Sequence, residues 1–197
     1  MLNKNKLPLL IIIVMCVELM IYLWAVGTTE TSVVFDKCAR NSGRVSSFFN
    51  VAILGMIGFY GLKNCYTNTT KKDALAVLIT LFAVNHLIHF FYVYQNFMHH
   101  AHLLIVWDNK HGFVTFIGIV TIPIVVWRVK QLNGLLYFTI IAHLFNVSYF
   151  IIKTFHSKIK PEHPAYHNQL GIVVTSAALM YVLYGIIKHH NKLSTTR

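Results

Sequence analysis

Polar and charged residues recur along this chain at intervals that leave six apolar stretches between them, approximately 8–26, 47–62, 74–95, 113–127, 134–152 and 170–187. A helix rising 1.5 Å per residue crosses the ~30 Å hydrocarbon layer of a bilayer in about 20 residues. The pattern therefore predicts an all-α, polytopic membrane protein, a bundle of six transmembrane helices. The connections, longest around 27–45 and 153–168, are too short to fold alone, so residues 1–197 are expected to form a single integral membrane domain. Composition agrees with the pattern. Apolar residues make up 56% of the chain and charged ones only 12%, and the mean hydropathy is +0.58, far from a soluble average.

Charge supplies the orientation. With the N-terminus in the cytoplasm, ten of the 17 Lys and Arg residues fall on inner segments, including Lys63, Lys71, Lys72, Arg128 and Lys130, and seven fall outside. Cytoplasmic loops favour basic residues, and an even span number places both termini on the cytoplasmic side of the cell membrane. The net charge of +11 is scattered over helix ends with no basic stripe or interleaved aromatics. That distribution excludes nucleic acid as a partner and points to anionic lipid. Lys4, Lys6, an apolar stretch and Ala25-Val26-Gly27 resemble a secretory signal, but the length of the run and Glu18 within it favour a retained helix. Glu18 itself has two open readings: a proton or quinol site, or a side chain that snorkels or pairs with a base. Cys16, Cys38 and Cys65 are an odd number without a CxxC, which argues against a disulfide framework.

The twelve histidines are the candidate chemistry. Imidazoles inside a membrane span are costly to desolvate and commonly functional, and they ligate metals and heme iron. His86 sits about 13 residues, roughly 20 Å, into the third span, and His143 about 9 residues into the fifth, so they share the inner half of the bilayer. His99 or His100 and His156 share the outer margin. Two bis-imidazole sites stacked across the bilayer are geometrically available. On an ideal helix His100 returns to within about 40° of His86, whereas His156 stands about 140° from His143, which calls for a bend in the fifth helix. A neutral imidazole bonded to a neighbouring carbonyl or to Asn85 or Asn146 accounts equally for His86 and His143. A wet loop or helix end accounts for His99, His100, His102, His111 and His156, and His189 and His190 read as inner-face topology residues.

The stretch from His143 through Asn146 and Ser148 to His156 resembles the fifth helix of ferric reductase-like transmembrane heme domains, and Arg40-Asn-Ser-Gly-Arg44 resembles the Arg/Gly start of an early helix in that family. The similarity extends over about residues 40–187. It implies a six-helix core in which His86, His143, His100 (or His99) and His156 are axial ligands of one or two b-type hemes. Arg44 would grip a propionate, unless it serves only as a helix-end anchor. No flavin or nicotinamide motif follows the last span, so the resemblance implies a separate electron donor, flavoprotein or quinol, and an acceptor at the outer face. The chain would then be an oxidoreductase or the heme subunit of one, with homo- or hetero-oligomers open. Two other classes use the same residues differently. His86-Leu-Ile-His89, His99-His100-Ala-His102 and His163-Pro-Ala-Tyr-His167 resemble the boxes of membrane di-iron desaturases and hydroxylases. A transport or structural subunit of a larger complex makes no demand on histidines at all.

Overall fold

A computed structural model describes residues 4–99, 110–159 and 165–194. Among the described residues there is no strand. Helix α1 (Leu7–Thr28) opens with Pro8 in its first turn, where the missing N–H would have no helical partner, and it is apolar all round. A single 3-10 turn leads into α2 (Val34–Tyr60). Gly61, at φ 76°, takes the left-handed conformation that ends α2 and returns its N–H to the Ile57 carbonyl at 2.7 Å. The short α3 (Leu62–Thr67) follows, and Asn68 accepts from the Lys71 N–H at 3.0 Å to cap α4 (Thr69–His99). Beyond it come α5 (Lys110–Arg128), α6 (Gly134–His156), capped by Asn133 accepting from the Leu136 N–H, and α7 (Tyr166–Ser194).

Among the described residues, five helices are long and apolar enough to cross a membrane, namely the segments Lys4–Thr28, Thr31–Tyr60, Thr69–His99, Gly134–His156 and Tyr166–Lys188, and a shorter apolar helix spans Gly112–Arg128. Leu9, Ile12, Leu23, Val173, Met180 and Ile187 are exposed. Outward apolar side chains of this kind suit lipid.

The second helix corrects the sequence reading. The apolar pattern places residues 34–45 in a connection, yet α2 begins at Val34, 13 residues before the apolar stretch at 47. Its buried positions are Val34, Cys38, Ser42, Ser46, Asn50, Ile53, Leu54, Ile57 and Gly58. This is helical spacing throughout, but the early part of the stripe is small and polar, so an apolar window does not register it. Those small residues let α2 occupy the centre of the bundle, packed against α1, α4, α6 and α7. Helices α4 and α6 have no extensive packing on each other; α2 and α5 stand between them.

A close crossing joins α2 to α7. A β-carbon on Gly185 would lie 2.7 Å from the Gly58 carbonyl oxygen, so this approach needs glycine. The main core lies alongside it, built from Ile53, Leu54, Leu75, Phe82, Ile140 and Val182.

Helix α3 buries Cys65 and Tyr66 against α4. Burial pushes the Cys65 thiol up to about 11, and the nearby Lys71 offsets this only in part. Thiolate is the reactive form. In folded protein at pH 8, Cys65 should therefore react with a maleimide at least ~10-fold more slowly than after denaturation; equal rates would mean that α3 does not cover it.

Candidate functional site

A layer of polar side chains crosses the bundle where the sequence is otherwise apolar. On α1, Glu18 is 2% exposed. Its Oε1 accepts from Ser42 Oγ of α2 at 2.9 Å and from Asn85 Nδ2 of α4, while Oε2 is buried without a partner. Tyr92 Oη donates to the Glu18 main-chain oxygen at 3.1 Å. Asn85 Oδ1 accepts from Ser46 Oγ at 2.6 Å, and His86 Nδ1 lies 3.4 Å from the same hydroxyl. On the far side of α2, Asn50 Nδ2 donates to Ser148 Oγ of α6 at 2.9 Å. Glu18 thus neither snorkels nor pairs with a described base.

Next to this layer is a cavity of about 200 Å³ bounded by α2, α4, α5 and α6. His86 and His89 line it from α4, with ring centroids 5.2 Å apart. Its walls are largely apolar, including Phe82, Ile119, Val147, Phe150 and Ile151, and Arg40 and Lys158 stand at its edge. Arg40 is paired with Asp36 one turn earlier. The Lys158 ammonium is held below the usual amine range, first by partial desolvation and then by the charge of Arg40; Asp36 opposes this and Arg44 adds to it.

Glycines give the imidazoles their room. The His89 ring lies against Gly43, where a β-carbon would be 3.1 Å from Cε1. It bonds the Ala39 backbone, and its Nδ1 is buried without a partner. On α6 the His143 ring presses on Gly118 of α5 so closely that any β-carbon there would overlap it, and His143 Nε2 is likewise buried and unpartnered. His86 stands within electrostatic reach of both His89 and His143. Gly118→Ala should therefore displace the His143 ring and destabilise the protein by about 1–3 kcal/mol, the usual range for overpacking. Gly112→Ala, which meets nothing within 4 Å, should not. Thermal unfolding with NMR of ring-labelled histidine reads both effects, and an unshifted His143 signal in Gly118→Ala would refute the contact.

The residues singled out in the sequence separate into two groups. His86 of α4 lines the cavity, and His143 of α6, which does not line it, lies within electrostatic reach of His86. His99, in the last turn of α4, is exposed and stacks on Phe35 of α2 at 5.2 Å. His156 is exposed at the end of α6. No described contact joins His99 to His156, and His100 lies outside the described residues, as do His102 and His163 of the di-iron-like boxes. Among the described residues, no three His, Cys, Asp or Glu side chains gather around one point. Arg44 donates to Asn41 Oδ1 at 2.7 Å and meets His167 Nε2 of α7 at 2.6 Å, tying α2 to α7. The cavity edge is taken instead by Arg40, which the sequence reading quotes with Ser42 and Gly43 in the Arg40–Arg44 stretch but gives no role in the site, while it passes over Ser46 and Gly118. The signal is present as Arg40, Gly43 and Ser46, three residues apart on one helical face, but only in a segment whose apolarity is that of a loop.

The fold and this site define a helical membrane protein with partly buried imidazoles beside a cavity among its helices. Comparisons with protein-family models, with characterised proteins and with solved structures find no match to this chain.

Proposed function

We propose that the protein carries electrons through the membrane by means of a b-type heme held between His86 of α4 and His143 of α6. One observation carries this reading: partly buried imidazoles from two helices that do not pack extensively on each other lie within electrostatic reach, His86 lining an apolar cavity with a basic edge and His143 lying against Gly118. The donor chemistry fits a heme. His143 Nε2 is free of protein partners, and the 3.4 Å approach of His86 Nδ1 to the Ser46 hydroxyl leaves its Nε2 as the ligating atom, the usual division of labour for a metal-bound histidine. Arg40 and Lys158 supply cations for carboxylate groups at the edge. The volume is smaller than the 300–1,000 Å³ of typical cofactor pockets, and α6 is held to α2 by Asn50–Ser148 and to α5 by Asn146–Thr115 and the His143–Gly118 contact, so a porphyrin would need those contacts to open.

A bis-imidazole heme supplies a one-electron couple with no open position on iron. The protein's own part is to orient the two imidazoles, with Gly118 giving His143 its position, and to exclude water with Phe82, Ile119 and Val147. The reading includes six crossings with both termini on the cytoplasmic side of the cell membrane, a separate flavoprotein or quinol as donor, and an acceptor at the outer face. A second heme at His100 (or His99) and His156 is left out of this reading, since His99 stacks on Phe35, His156 is exposed and His100 lies outside the described residues.

A dithionite-reduced minus air-oxidised absorption spectrum of protein purified with heme supply, combined with a pyridine hemochrome count, tests the reading. Sharp low-spin bands at one heme per chain are expected. A featureless spectrum from folded, heme-supplied protein would overturn it in favour of a structural subunit.

A further inference from the structure

The cavity between α2, α4, α5 and α6 is graded from its edge to its walls. Arg40 and Lys158 at the edge are exposed, whereas Phe82, Ile119 and Val147 on the walls are buried. Phe82 and His89, both lining it from α4, are two helical turns apart, so the lining extends over about 10 Å. The polar groups inside are largely engaged. Ser46 donates to Asn85, and His89 is tied to the Ala39 backbone. An apolar chamber with its charges gathered at one end suits a ligand built the same way.

Charge at that end is unbalanced. Arg40, Arg44 and Lys158 stand within electrostatic reach of one another, and the one acid acting on the group is Asp36, which is paired with Arg40. Arg44 is turned to Asn41 and His167, both uncharged partners. The Lys158 ammonium makes no ion pair among the described residues. An anion between Arg40 and Lys158 would relieve the repulsion, and a carboxylate can accept hydrogen bonds from a guanidinium and an ammonium together. A neutral apolar molecule would leave the positive charge uncompensated, and a metal cation would add to it. A simple inorganic anion would leave the apolar walls unused.

We propose that the cavity is a binding site for a small amphiphilic carboxylate of about eight carbons, its carboxylate on Arg40 and Lys158 and its apolar body among Phe82, Ile119 and Val147. The size follows from the volume. An apolar cavity of roughly 150 Å³ holds one benzene ring, six carbons, and about 200 Å³ is open here. The proposal takes the cavity as it stands, with no helix displaced and no heme involved. It is therefore independent of the electron-transfer reading, although a heme in the same place would compete for the same two cations.

Equilibrium dialysis of radiolabelled octanoate against the full-length protein in lipid nanodiscs, purified without heme supply and corrected with empty nanodiscs, tests the proposal. Saturable binding at one site per chain is expected. Arg40→Gln and Lys158→Gln should each weaken it roughly 10-fold, the scale of one lost hydrogen bond to a charged group. Lys153→Gln, on α6 but outside the cavity lining, should leave it unchanged. Thr154→Trp, at an exposed lining position, should abolish binding by filling the cavity. Octanol, which lacks the charge, should displace the label at least ~10-fold less well than unlabelled octanoate. Hexadecanoate, a carboxylate with the length of a lipid chain, should also compete poorly because its chain exceeds the volume. Absence of saturable binding, equal displacement by octanol or by hexadecanoate, or wild-type binding by Lys158→Gln would each overturn the proposal. Arg40→Gln also loses the pair with Asp36; if it does not fold, Lys158→Gln, exposed and in no ion pair among the described residues, carries the comparison. The hemochrome count on heme-supplied protein bears only on the electron-transfer reading, so the two readings fail separately.

Discussion

His86→Ala and His143→Ala should each abolish the low-spin heme spectrum of the purified protein while leaving its membrane insertion and its elution as a single species unchanged. Each variant would remove one of the two proposed ligands, so the fall in heme affinity should exceed the 10–100-fold that loss of an outer-shell partner costs a metal site. His99→Ala and His156→Ala act as controls. One side chain is stacked on Phe35 and the other is exposed, and both variants should keep the full heme count. His89→Ala separates two arrangements that lie close together. The His89 ring is fixed by the Ala39 backbone and by Gly43, so its loss should shift the spectrum or potential and not empty the site. Unchanged heme content in both His86→Ala and His143→Ala would remove the assignment, whatever the wild-type spectrum looks like.

The second large effect is structural. Gly185→Val should loosen α7 from α2, because its new β-carbon would meet the Gly58 carbonyl at 2.7 Å. The obstruction is backbone, not the end of a flexible side chain, so no rotamer change relieves it. The cost should reach the upper part of the overpacking range, about 3 kcal/mol, or roughly 6–12 °C in Tm for a chain of this size. Gly55→Val, with nothing within 4 Å of its β-carbon, is the matched control in the same detergent. A loss below ~2 °C for Gly185→Val would mean that the two helices do not cross at these glycines.

Much of the fold is legible because membrane helices are written locally. A run long enough for the hydrocarbon layer announces itself, and α1, α4, α6 and α7 overlap the stretches read from the sequence at 8–26, 74–95, 134–152 and 170–187. The stretch at 113–127 is matched by α5, whose apolar part is shorter than the others. The beginning of α2 is not legible, since its buried stripe consists of Cys38, Ser42, Ser46 and Asn50 and the same segment carries Arg40 and Arg44. A window that scores apolarity reads such a segment as a connection. The same error hides Arg40 as a cavity residue and gives its place to Arg44.

For the candidate site, depth is predictable and direction is not. His86 and His143 each stand 13 residues before the described end of their helices at His99 and His156, and a fixed rise per residue turns that count into a common level. Whether a side chain at a given level meets a cavity, a glycine or a lipid depends on the rotation of its helix about its own axis. That rotation is set by packing partners far away in the chain. The sequence by itself thus determined the membrane class, most of the helices and the level of the central histidines, because hydrophobic length and helical rise are properties of one segment. Only the tertiary structure decided that Glu18 meets Ser42 and Asn85, that His143 lies on Gly118 and that Arg44 turns to His167, because each of these contacts depends on how separate helices are turned toward one another.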